Sequence, residues 1–124
     1  TSNMNFGASL SLQGDLLVVG ANEDSNATSI INGSTASSDT SRENSGAVYV
    51  FKRSGTSWSQ IAYIKAVNAD ASDAFGGKTD LDNSTIVVGA NSEDSNSTSI
   101  INGTTASSDN SNSGSGAAYV YRFH

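Results

Sequence analysis

Two short runs of this chain are spaced as oxygen ligands for a hard cation. Glu23, Asp24, Asn26 and Thr28 stand at adjacent and alternate positions, and Glu93, Asp94, Asn96 and Thr98 repeat them. Ca2+ takes about six to eight oxygens from carboxylates, amides and carbonyls, and alternate positions of a loop can converge on one ion. The pattern is half an ion-binding signature, because it lacks the glycine and the distal bidentate acid of an EF-hand. Read without a ligand, the same residues are solvated loop positions that recur because the whole unit recurs. Asp70 and Asp73 are weaker cation candidates, which turn chemistry explains equally well.

Covalent and acid–base chemistry finds few carriers. The one histidine is His124 at the end of the chain, and there is no cysteine. A Ser–His–carboxylate relay would have to be built on a terminal residue. No motif with a catalytic mechanism is present, so the expectation is a protein that is not an enzyme. The isoleucine pairs Ile30-Ile31 and Ile100-Ile101 interrupt long polar stretches, each just before an Asn-Gly that favours a tight turn. Either they plug a loop back onto the body of the protein, or they form an apolar tip that contacts a partner. Asn26, Asn32, Asn83, Asn96 and Asn102 each open an Asn-x-Ser/Thr sequence, which fits exposed loops in a Ser/Thr-rich chain.

The elements that carry these residues occur twice. Phe6-Gly7 returns as Phe75-Gly76, Val18-Val19-Gly20-Ala21 as Val87-Val88-Gly89-Ala90, and Gly46-Ala47-Val48-Tyr49-Val50 as Gly116 to Val120. The period is about 69 or 70 residues, as in tandem-repeat architectures, with Ser92 read as the inserted residue. Within a unit the apolar runs have strand length. Gly14-Asp15 and Asp82-Asn83 supply hairpin turns, and Ser54-Gly55 a further one. Leu16 to Ala21 is apolar throughout, as in a strand covered on both faces. Trp58 to Ala66 alternates, with Trp58, Gln60, Ala62 and Ile64 on one face and Ile61 and Tyr63 on the other. Phe6, Phe75, Tyr49, Tyr119 and Trp58 fall at strand positions and read as core. Nothing keeps helical spacing over three turns. The fold class is therefore all-β, with a first unit over 1–74 and a shorter second unit over 75–124 that lacks a counterpart of the fourth strand. Its open edge invites completion by oligomerisation.

Composition narrows the function classes. The net charge is −6 with six basic residues in all, which leaves no cationic patch for nucleic acid. No apolar run approaches the roughly twenty residues of a membrane-spanning helix. Leu, Ile, Val and Phe make up about a fifth of the chain, close to the level where isolated folding fails. Such a unit is expected to lean on neighbours or bound ions. The chain opens on Thr1, as a processed or excised piece would.

The repeated Phe-Gly, the Val-Gly-Ala strand ends, and the Gly-Ala-Val-Tyr-Val-Phe and Trp-Ser-Gln strands resemble FG-GAP repeats of integrin α-like β-propellers, in particular the bacterial cell-surface branch. The resemblance implies two tandem repeats forming four-stranded antiparallel blades of a β-propeller-like architecture, the second blade without its fourth strand. It also implies an extracellular or cell-surface adhesion or recognition module, and the acidic loops, read from their own residues, would bind calcium and stiffen it. Expected partners are a second copy, a protein or a glycan. Two departures stand out. Asn22 and Asn91 replace the proline of the motif, and Gln13-Gly14-Asp15 is too short for the calcium loop found between the first two strands of calcium-binding integrin blades. The alternative function is a structural subunit that assembles into a ring or filament by strand addition at an open sheet edge.

Overall fold

The computed structural model describes residues 4–26, 40–103 and 105–123. Seven strands lie within these residues: β1 (Phe6–Gln13), β2 (Leu16–Ala21), β3 (Ala47–Ser54), β4 (Ser57–Ile64), β5 (Phe75–Asp82), β6 (Thr85–Ala90) and β7 (Ala117–Arg122). They form two antiparallel sheets, β1-β2-β3-β4 and β5-β6-β7, and no helix is present among the described residues. The ladders repeat residue for residue. Val18 pairs with Ser11 and Val50, and its counterpart Val87 pairs with Asp80 and Val120. Each Phe-Gly opens its sheet with the same irregularity, between Phe6 and Ser9 and between Phe75 and Lys78, where Gly7 and Gly76 both take φ +94°. That conformation is open to glycine and strained for side-chain-bearing residues.

The sheets stack head to tail. From the first sheet Val18, Val48, Val50 and Ile64 are fully buried against Phe75, Ile86 and Val88 of the second. Of these, Val18, Val48 and Val50 are equivalent to Val87, Ala118 and Val120 of sheet two, whereas the sheet-two residues they meet are equivalent to Phe6, Leu17 and Val19. One face of the first repeat therefore lies on the opposite face of the second. The join is tight where backbones meet. A side chain at Gly20 would overlap the Gly76 carbonyl, and Ser9 Oγ donates to that same carbonyl at 2.8 Å. Phe75 N–H bonds the Ser45 carbonyl at 3.0 Å, seating β5 at the foot of β3. A second cluster (Val19, Ala21, Ala47, Tyr49 and Tyr63) fills the far face of the first sheet.

Two expectations change on contact with this geometry. Opposite Val50 and Phe51 the β4 ladder skips Ile61, so Ala62 pairs with Val50 while Gln60 pairs with Phe51. This bulge inserts one residue into the alternation and moves Trp58 and Gln60 off the face of Ala62 and Ile64. In addition, Phe6 and Trp58 are not core. Both are exposed, Phe6 edge-on to Tyr49 with centroids 5.2 Å apart and Trp58 under the Arg53 guanidinium. Phe75 and Tyr49 are buried as expected, and Tyr119 is half-buried.

Candidate functional site

Both acidic runs follow the end of a strand that has just been sealed into its sheet. After Ala21 the backbone turns, with Asp24 N–H bonded to the Ala21 carbonyl at 3.1 Å, and this places the Asp24 side chain beneath Tyr49 and Tyr63. Asp24 is completely buried, and its carboxylate is fully used. Tyr49 Oη donates to Oδ2 at 3.0 Å. Tyr63 Oη, the Asn26 amide and Asn26 Nδ2 all donate to Oδ1 at 2.9 Å. Lys65 Nζ lies 3.6 Å from Oδ1 and donates to Ser45 Oγ at 2.5 Å, with neither charged side chain reaching solvent. Burial alone would raise the Asp24 pKa, but the Asn26 and Tyr63 hydrogen bonds and the Lys65 charge outweigh it and hold the group below the ordinary value. Burial pulls Lys65 down to about 8 against the opposing attraction of Asp24. Burial and the Asp24 charge push both tyrosines upward.

The second repeat fills the same place differently. Glu93 N–H bonds Ala90, and the Glu93 carbonyl accepts from Gly116 N–H and Ser115 Oγ, just as the Asp24 carbonyl accepts from Gly46 N–H and Ser45 Oγ. The structural counterpart of Asp24 is therefore Glu93, although the sequence alone aligns Asp24 with Asp94. Ser92 is not an insertion at this point, and the extra residue falls later in the loop. Glu93 is buried and accepts from Asn68 Nδ2 at 3.1 Å and from the Ser95 amide at 2.9 Å. Tyr119 Oη, the counterpart of Tyr49, donates to Asn68 Oδ1 at 2.7 Å, its pKa raised to about 12 by burial and the Glu93 charge. Asp73 lies nearby with its pKa pushed up to about 6 by burial and by the charges of Asp70, Glu93 and Asp94.

The proposed ligand sets are thus split. Asp24 and Asn26 meet, but in a cage of protein donors. Glu23 is half-buried and bonds Met4 through its backbone. Asp94 accepts from Gly114 N–H at 2.6 Å and closes its own loop, while Asn96 and Thr98 point out of the fold as exposed residues. No three acidic or imidazole groups converge as a metal site among the described residues. Thr28, Ile30 and Ile31 lie outside the described residues. Ile100 is 91% exposed and does not plug its loop, and Ile101 is 45% exposed. Both flank a cavity of about 460 Å3 between the second loop and β7, which Asn68, Glu93, Tyr119 and Tyr121 also line. Sequence reasoning missed Lys65, Tyr63 and Asn68. A lysine inside the apolar run Tyr63-Ile64-Lys65-Ala66 was the available signal, since lysine is seldom fully buried without a partner.

No helix of the described residues is long and apolar enough to cross a membrane. No curated protein and no solved structure matches the chain. A profile of the FG-GAP repeat matches residues 1–51 and 58–121, which takes in both sheets and both loops. Two ladders identical in register, each opened by Phe-Gly and closed by Val-Gly-Ala, are the structural form of that match. The chain belongs to the FG-GAP repeat family.

Proposed function

We propose that this protein is a non-enzymatic extracellular module for adhesion or recognition, and that its second loop, with the groove behind it, is the contact surface. One observation carries the reading. Ile100 is almost wholly exposed at the mouth of a cavity whose polar floor, Asn68, Glu93 and Tyr119, is already hydrogen-bonded within the protein. An apolar tip over a floor whose Asn68, Glu93 and Tyr119 already bond one another suits docking better than turnover. FG-GAP repeats in general serve such extracellular recognition roles, which supports the assignment. The ligand class that fits is a protein or glycan surface. At Asp24 the buried Lys65 ammonium already stands where a bound cation would supply counter-charge. Microspheres coated with the chain should be retained on cell monolayers, and Ile100→Asp with Ile101→Asp should abolish retention. Absence of retention on every cell type, or retention indifferent to both substitutions, would remove the reading.

A second reading, a subunit of a larger assembly, is favoured by β7. No strand of the described residues pairs with its outer edge, although its counterpart β3 is covered by β4. Unpaired edges recruit strands unless they are protected.

A further inference from the structure

We propose that copies of this chain stack face to face, head to tail, by repeating between molecules the contact that joins the two repeats within one. This rests on the assembly reading above but assigns it to the sheet faces rather than to the β7 edge.

The inner contact uses two surfaces, and the molecule displays both again on its outside. In the first repeat Val50 is fully buried against the second sheet, whereas its counterpart Val120 is 67% exposed. Val18 and Val87 differ in the same sense. In the second repeat Leu81 is 7% exposed beneath the first sheet, while its counterpart Leu12 is 64% exposed and Leu10 beside it 63%. The outer face of β6-β7 thus repeats, with Val87 and Val120, the valine positions of the surface packed with Leu81, and the outer face of β1-β2 repeats the covered leucine with Leu12.

Gly89 supplies an independent observation. Its counterpart Gly20 has to be glycine because the Gly76 carbonyl of the next repeat sits where a Cβ would be. Around Gly89 the nearest atoms are Lys78 Cβ at 3.7 Å and Lys78 O at 3.9 Å, an ordinary contact, and its backbone is not in the left-handed region. Glycine inside a strand loosens it and marks a place where another backbone comes close. Among the described residues no backbone comes closer to that Cβ position than the Lys78 carbonyl oxygen of the paired strand, at 3.9 Å. Applying the internal geometry to a second copy brings that copy's Gly7 to the position, since Gly7 matches Gly76 in φ and a Cβ there would meet nothing within 4 Å. One polar contact carries over as well. Ser11 Oγ donates to Asp80 inside the chain at 3.2 Å, and the same operation sets Asp80 of one copy against Ser11 of the next. Because the two surfaces differ, the contact is heterologous and runs on into a ring or a filament.

Size-exclusion chromatography with light scattering, at tens to hundreds of micromolar in physiological salt, should give a mass that rises with concentration. Salt should favour it, because copies of net charge −6 repel one another. Leu10→Asp and Val120→Asp each spoil one face at an exposed position, so each variant should melt like the parent when dilute and remain a single chain alone. Mixed, they retain one good face apiece and should form a two-chain species that grows no further. Gly89→Ala should melt normally and associate at least about tenfold more weakly. A parent that stays monomeric would overturn the proposal and leave the loop reading untouched. Self-pairing of either Asp variant would point to the β7 edge or to a symmetric contact, and would overturn it too. Gly89→Ala associating like the parent would have the same force.

Discussion

Asp24 and Glu93 hold the same position in successive repeats, yet their surroundings are built from different parts. Asp24 is enclosed by β3 and β4, which bring two tyrosine hydroxyls, and by Lys65 just after β4. Among the described residues Glu93 has no β4 equivalent beside it, and Asn68, from the connection between the sheets, bridges it to Tyr119. The fourth strand therefore brings more than backbone pairing, since it also delivers the cation. Where it is missing, burial first and then the neighbouring charges of Asp70, Glu93 and Asp94 raise the Asp73 carboxyl to about 6. A longer side chain in the second repeat compensates in reach for what it lacks in partners.

The sharpest way to break this comparison is to delete both carboxylates in turn. Asp24→Ala strands two buried hydroxyls and a buried ammonium, and should cost about 3–5 kcal/mol in urea unfolding. Glu93→Ala loses one amide and one backbone hydrogen bond and should cost about 1–2 kcal/mol. Equal losses would erase the distinction. Next in size is Gly20→Ala, which drives a methyl into the Gly76 carbonyl and should cost about 1–3 kcal/mol of thermal stability.

Asp73 sharpens the same comparison through pH. Its carboxyl binds a proton more tightly in the folded protein than its ordinary value of 3.8 implies. Stability from this group is therefore complete below about pH 4 and is lost as pH rises through about 6. Asp73→Asn keeps the acceptor for the Asp70 amide and should gain about 1–2 kcal/mol near neutrality, with the two proteins converging in acid. A gain that persists unchanged in acid would show that the charge is not responsible. The smallest effect is expected from calcium. Millimolar Ca2+ should leave the melting temperature unchanged, and a rise of several degrees would place an ion among Asp70, Asp73, Glu93 and Asp94.

Much of the architecture was readable in the chain because it rests on local chemistry. Gly14-Asp15 and Ser54-Gly55 announce hairpins, and Leu16 to Ala21 announces a strand buried on both faces, as found. The bulge at Ile61 was not readable, since no turn or glycine between Trp58 and Ala66 marks it and only the partner strand reveals the skipped residue. The Asp24 cage was hidden for another reason. Its donors are scattered from Asn26 to Lys65, and their convergence depends on how β2, β3 and β4 align. Repetition even misled, because matching Asp24 to Asp94 maximises identity while the backbone hydrogen bonds select Glu93. Exposure of Phe6 and Trp58 likewise depends on what lies beyond the first sheet, which strand patterns do not encode.

Trp58, the chain's single tryptophan, sits on the sheet face that carries Leu10 and Leu12, with its ring under Arg53 at 5.8 Å. An indole in that position is half wet and polarised by a neighbouring cation. Its emission colour therefore reads out the solvent over that one surface and almost nothing of the interior, so the molecule carries a built-in optical gauge of whether its leading side is bare or occupied.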